Sequence, residues 1–157
     1  MARRVVIAIA VVIGLLMASP WLLYWTALST VNGRPAPPRA PYLSEAKANQ
    51  LWLCLGQKLP VFIAPMSPLS IAINVVTGNP SKFETTGHFV AWQVAKNHNL
   101  RNRANRDMLM WHVTGSGLTI WLTRNWSADE ILLAADQVVK AYPVGKRCLR
   151  RTRLSYY

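Results

Sequence analysis

Acid–base chemistry needs a carboxylate, and this chain has few. Glu45, Glu84, Asp107, Asp129, Glu130 and Asp136 are its six acids, against eighteen lysines and arginines. Asp129 and Glu130 fall in Ser127-Ala128-Asp129-Glu130, the capping-box pattern. There the Ser127 hydroxyl accepts from the backbone N–H of Glu130, and the Glu130 carboxylate accepts from the backbone N–H of Ser127. Asp136 lies within the helix that this box begins, Glu45 near the start of another, and Asp107 among Arg101, Arg103 and Arg106, whose charge it would balance. Glu84 is the carboxylate without such work. His88, His98 and His112 lack ligand spacing, and Cys54 and Cys148 lie in no Cys-x-x-Cys pattern, so neither a metal nor a cofactor is expected. Outside a membrane these two cysteines could form one disulfide tying the domain's start to its end; two buried free thiols would read the same way.

The elements that must position these groups begin at the N-terminus. Arg3 and Arg4 precede an apolar run from Val5 to Leu28, broken only by Gly14, Ser19-Pro20 and Thr26, with Trp21, Tyr24 and Trp25 toward its far end. At a rise of about 1.5 Å per residue the run is long enough to cross a hydrocarbon core about 30 Å thick. Basic residues before the span favour a cytoplasmic N-terminus and the aromatic rings suit the opposite interface, so the chain from about Ser29 should face outward. A cleaved signal peptide shares the basic start and apolar middle. It wants small residues around the cut, whereas cleavage after Ala18 or Ser19 would place Leu16 or Met17 at the critical position with Pro20 at or beside the bond. The expectation is a retained single-pass anchor in the inner (cytoplasmic) membrane with a periplasmic domain. Pro20 is tolerated in such a helix when the carbonyl it frees finds another partner.

A formal charge of +12 ordinarily raises nucleic acid as a partner. An outward-facing domain instead meets anionic headgroups, lipid-linked phosphates or acidic wall polymers, and no nucleic-acid partner is expected. The predicted organisation is an anchor over 1–28, a Pro-rich linker over 29–43 that holds the domain off the bilayer, a small domain over 44–145 and a basic tail over 146–157. Within the domain the sequence predicts a helix from Ser44 to Leu55, with Ser44 as N-cap and Gly56 and Pro60 closing it. A short apolar segment, Leu69 to Val76, ends in the turn signal Thr77-Gly78-Asn79-Pro80. A second helix runs from Gly87 or His88 to Asn97, a polar basic stretch follows to Asn105, and the capping box starts a helix reaching about Tyr142.

The stretch Leu118 to Leu132, LTIWLTRNWSADEIL, resembles the segment of peptidoglycan glycosyltransferases that carries an LE-R-x-x-S-K-D-E-I-L pattern. These are the transglycosylase domains of class A penicillin-binding proteins and monofunctional transglycosylases. Upstream, Gly87 to Asn97, GHFVAWQVAKN, looks like the family's Gly-Ser-Thr-Ile-Thr-Gln-Gln-Leu-x-Lys-Asn motif, keeping Gly87, Gln93, Lys96 and Asn97. More weakly, Asn79 to Phe83, NPSKF, stands in the place of the family's Glu-Asp-x-x-Phe motif. The resemblance covers roughly Leu69 to Tyr142. It implies a mainly α chain: an N-terminal transmembrane helix plus a small lysozyme-like helical domain that joins lipid-linked disaccharides into glycan strands. It also places Gln93, Lys96 and Asn97 near a lipid pyrophosphate, which an ammonium and amide donors suit. The same residues could equally be a helix end with a cation near its C-terminal dipole.

The departures concern the chemistry. Asn79 stands where the resemblance implies the general base, and an amide cannot take the proton. Trp111-His112-Val113-Thr114-Gly115 replaces the family's Arg-Lys-x-x-Glu pattern, so the second carboxylate and the cationic pair are missing too. Glu84, beside the altered motif, is the substitute base if there is one. The expected function is therefore a periplasm-facing, transglycosylase-like protein of peptidoglycan assembly, with impaired or lost activity, that binds lipid-linked precursor or glycan or docks on a cell-wall synthase. The alternative is a non-enzymatic structural or interaction subunit of an envelope complex. A glycan-cutting enzyme suffers equally from the shortage of acids. Trp92, Trp111, Trp121 and Trp126 could stack on sugars, though core positions are the more common use of such residues. One conflict is local: MLMWHVT and LTIWLT around Gly115-Ser116-Gly117 suit a β-hairpin by composition, whereas the resemblance implies a helix into Arg124. The helix is the expectation.

Overall fold

The computed structural model describes residues 2–39, 41–69, 87–102 and 107–141. Among them are five helices and no strand: α1 (Ala2–Ser29), α2 (Glu45–Cys54), α3 (His88–Asn102), α4 (Met108–Asn125) and α5 (Ala128–Ala141). The expected apolar segment from Leu69, the turn after it, the Asn79–Phe83 motif, Glu84, Cys148 and the basic tail lie, apart from Leu69 itself, outside the described residues.

α1 is the helix long and apolar enough to cross a membrane, with 27 residues from Arg3 to Ser29 and a mean hydropathy of 2.5. Pro20 sits inside it and has no N–H to give the Leu16 carbonyl. The Ser19 hydroxyl takes over, donating to the Leu16 oxygen at 2.8 Å. The neighbouring side chain thus supplies the partner that a proline in an apolar helix requires.

The last turns of α1 belong to the domain. Leu28 and Val31 share one apolar core with Leu51 and Trp52 of α2, Val90, Ala91 and Val94 of α3, Leu118 and Leu122 of α4, and Ile131, Leu132 and Ala135 of α5. Residues 29–35 follow this packing rather than leading away from it. Val31 is buried, the Asn32 N–H donates to the Asn102 carbonyl at 2.9 Å, and Arg34 donates to the Leu28 carbonyl at 2.6 Å. The hydrophobic pattern Ala27-Leu28 and Val31 continues past the predicted boundary at residue 28 and enters the core.

α4 resolves the conflict between hairpin and helix in favour of the helix. Asp107 caps it, its carboxylate accepting from the Met110 N–H at 2.9 Å, which is work beyond that of an arginine partner. Gly115 and Gly117 are not turn residues but points of close approach. A Cβ at Gly115 would lie 2.6 Å from the Trp92 ring, and one at Gly117 would lie 2.5 Å from the Ala27 Cβ of α1. Glycine costs a helix about 1 kcal/mol relative to alanine; here the contact it permits offsets that cost.

The helix ends are as local chemistry dictates. Ser44 holds the N-cap position of α2 with extended backbone, although its hydroxyl makes no capping bond. At the other end the Gly56 N–H donates to Leu53 and the Gln57 N–H to Trp52, and Gly56 has a φ of 76°. This is the Schellman arrangement, which favours glycine at the left-handed position. Cys54 in the last turn of α2 is disulfide-bonded. The capping box of α5 forms in both directions: the Ser127 N–H donates to the Glu130 carboxylate at 2.6 Å and the Glu130 N–H to the Ser127 hydroxyl at 3.3 Å.

Replacing Gly117 with valine should cost the folded chain about 1–3 kcal/mol through overpacking against Ala27. A lowered thermal midpoint by circular dichroism in detergent checks this, with Ser116→Ala, a change without that crowding, as the control.

Candidate functional site

α3 carries the three residues singled out for phosphate binding, and it extends five residues beyond its predicted end at Asn97, to Asn102. Tertiary hydrogen bonds hold the extra turn. Asn99 is fully buried and its amide donates to the Trp111 carbonyl of α4 at 2.9 Å, while the Asn102 amide donates back to the His98 carbonyl at 3.0 Å. Asparagine is a weak helix former alone, because its side chain competes for backbone groups; here that tendency is satisfied without breaking the helix.

The longer helix creates a cavity that the shorter one could not. It lies between α3, α5 and the segment after α1, has a volume of about 340 Å³, and is lined among others by Asn97, His98, Arg101, Trp126 and Gln137, with Pro35 at its edge. Asn97 and Arg101 are one helical turn apart and therefore share a face. The His98 ring is fixed, its Nε2 3.2 Å from the Gly33 carbonyl and its Nδ1 3.3 Å from the Asn102 amide. With the Asn102 amide as donor, Nδ1 accepts and Nε2–H donates to the Gly33 carbonyl. Guanidinium, amides and an indole face are groups that bind sugars and their anionic derivatives.

Lys96 lies on the other side of α3. Its ammonium is 6.0 Å from the centre of the Trp111 ring, within cation–π range. Trp111, Trp92 and His112 form one aromatic group: the two tryptophans meet edge to face at 5.7 Å, and His112 stacks parallel to Trp92 at 6.4 Å. Gln93 is half-buried and is not among the cavity's lining residues. The structure thus places Asn97 in this cavity and Lys96 over the aromatic group, with Gln93 and Lys96 outside the cavity's lining. Arg101, His98 and Gln137 escaped sequence reasoning. The signal was present in the spacing of Asn97 and Arg101, but it registers only once α3 is known to continue past Asn97. Trp121 and Trp126 pack in part against the core, as the commoner use of tryptophan suggests.

The described carboxylates are committed elsewhere. Glu45 lies in the first turn of α2, Asp107 and Glu130 cap helices, and Asp129 lies in the first turn of α5. Asp136 is buried and pairs with Lys140 and, at 3.7 Å, with Lys47 of α2, tying α5 to α2. The hydrogen bond to Asp136, opposed by slight desolvation, holds the Lys140 pKa above its usual value. Glu84 lies outside the described residues.

His88, at the first position of α3, is the buried histidine. Its Nε2 is 3.0 Å from the Ala64 carbonyl, and burial pushes its pKa below 6.5, against the smaller upward pull of that hydrogen bond. Beside it Gly87, with a φ of 67°, leaves no room for a Cβ, which would fall 2.5 Å from the Phe62 carbonyl. A histidine whose folded pKa is depressed favours folding above the unfolded pKa, and that contribution is lost as pH falls through the folded value. The thermal midpoint should therefore drop as pH is lowered below about 6.5; His88→Gln, which keeps a donor but cannot titrate, should flatten that part of the profile.

Comparison with known proteins finds no matching family model, no matching curated protein and no matching solved structure.

Proposed function

We propose that the chain is a membrane-anchored, periplasm-facing binding protein of peptidoglycan assembly, related to the glycosyltransferases it resembles over Gly87–Asn97 and Leu118–Leu132, and that it binds lipid-linked precursor or glycan without polymerising it. One observation carries the non-catalytic part. Every carboxylate among the described residues stands in a helix cap, a first helical turn or an ion pair, so none is poised to take a proton from a sugar hydroxyl. Glu84 is the base if activity survives. The anchor supports the reading by keeping the domain where a lipid-linked ligand diffuses, converting a three-dimensional search into one confined to the membrane surface.

Two faces of α3 offer the chemistry for such a ligand. Asn97, Arg101 and Trp126 present amide, guanidinium and ring on one side; Lys96 and the Trp92–Trp111 pair present a cation and stacking surfaces on the other.

The test uses the purified full chain in detergent with fluorescent lipid-linked disaccharide precursor, following binding by anisotropy and polymer by gel. Binding without polymer is the expected result, and loss of one charged contact should weaken it about tenfold. Lys96→Ala and Arg101→Ala report which face is used. Polymer that disappears in Glu84→Gln would make the chain an active transferase. Absence of both binding and polymer would overturn the proposal in favour of an interaction subunit of an envelope complex.

A further inference from the structure

Resting on the reading of α1 as a membrane span, we propose that the bundle end formed by the last turn of α4 and residues 66–69 is seated at the outer boundary between hydrocarbon and headgroups of the same bilayer, with the Arg124 guanidinium reaching out to the phosphates of anionic phospholipid.

Register carries the argument. α1 and α4 run antiparallel in contact: the Thr30 and Thr114 hydroxyls share a hydrogen bond of 2.6 Å, Gly117 abuts Ala27, and the Arg124 guanidinium lies 6.0 Å from the centre of the Trp21 ring. From Thr30 back to Trp21 is about 14 Å along α1. The C-terminal turn of α4 therefore lies alongside the apolar part of α1 rather than beyond its end. The apolar helix is 27 residues long, or about 40 Å, which exceeds a hydrocarbon core by about 10 Å. With the core starting at Val5, just after Arg3 and Arg4, its far boundary falls near Tyr24 and Trp25, a level that aromatic rings favour. Arg124 beside Trp21 is then about one helical turn inside that boundary. The domain cannot stand clear of the bilayer while α1 spans it.

The surface at this depth suits lipid. Trp21 is 45% exposed, Trp25 62% and Leu69 36%. The segment bearing Leu69 is fastened to α4: the Met66 N–H donates to the Thr123 hydroxyl at 3.0 Å, and Arg124 donates to the Met66 carbonyl at 3.4 Å. That bond uses one of five guanidinium donors. The remaining donors reach the phosphate layer as arginines near helix ends do, with the aliphatic stem in the apolar zone and the charged head at the headgroups. Leu109 lies at the opposite end of α4, about 22 Å away along the helix.

The experiment places a bimane probe on single cysteines introduced as Leu69→Cys, Leu109→Cys and Val12→Cys in the full chain, reconstituted in phosphatidylcholine liposomes with or without phosphatidylglycerol. The unsubstituted chain, in which Cys54 is disulfide-bonded, gives the background labelling. Brominated lipid should quench the probes at 12 and 69 and leave that at 109 bright, with aqueous iodide doing the reverse. Phosphatidylglycerol should deepen the lipid quenching at 69, and Arg124→Gln should abolish that increment. Iodide reaching 69 as readily as 109 while 12 stays protected would overturn the proposal and leave the span intact. Iodide reaching 12 would remove the span and the proposal together. An increment at 69 that persists in Arg124→Gln would overturn the assignment of Arg124 to the lipid phosphate.

Discussion

The close approach of α1 and α4 is the constraint on which the rest depends. Gly117 allows the Ala27 methyl to meet the α4 backbone, and the Thr30–Thr114 hydrogen bond fixes the register one turn further on. With these two contacts made, Leu28 and Val31 enter the core formed by all five helices. The long apolar helix α1 and the domain then share one hydrophobic interior. Small residues at a helix crossing allow this in lipid and in water alike, because what they supply is backbone proximity and dispersion contact rather than transfer free energy.

Where sequence reasoning succeeded, the determinants were local. The capping box Ser127–Glu130 is a pattern of four residues whose bonds all fall within those four, and at the end of α2 the Gly56 N–H bonds Leu53 three residues back and the Gln57 N–H bonds Trp52 five back. Where it fell short, the determinant was distant. Gly115-Ser116-Gly117 carries a turn signal by composition, and only the presence of Trp92 on one side and Ala27 on the other turns that signal into a packing device. Asn99 and Asn102 look like helix breakers until the Trp111 carbonyl is seen to accept from the Asn99 amide and the Asn102 carbonyl to accept from the Asn32 N–H. The cavity beside Asn97 went unread for the same reason, since three of its five lining residues on α3 lie beyond the predicted helix end. The contacts made by the proline-rich stretch after α1 were equally unread: Pro35 lines that cavity, and Val31 and Asn32 are tied to the bundle.

Charge is distributed with a similar economy. A chain of +12 repels itself when compact, and the acids among the described residues stand at helix starts or in an ion pair. Asp107 and Glu130 satisfy orphan N–H groups at helix starts, where a carboxylate also meets the positive end of the helix dipole. Asp136 is buried between two lysines from different helices. A carboxylate bound in this way is poorly suited to proton transfer, because protonating it would break the contacts that hold the helices together. The surplus of cations is left for the surface, where Arg101 faces a cavity and Arg124 faces the span.

Because α1 shares the core, its motion is coupled to the bundle. In a tethered domain the linker's flexibility decides how far the domain can search and at what angle. Here the helix that would anchor the chain also supplies Ala27, Leu28 and Val31 to the interior, so tilting α1 against the bundle would open the core and expose apolar surface at a cost of about 25 cal/mol per Å². The orientation of α3, with its cavity on one side and Lys96 on the other, is accordingly fixed relative to α1. A ligand delivered through the membrane would meet those faces at a set height and angle. On the binding function proposed above, that fixed geometry would stand in for chemistry: selectivity would come from which groups the membrane presents at the level of the cavity, not from a proton transfer.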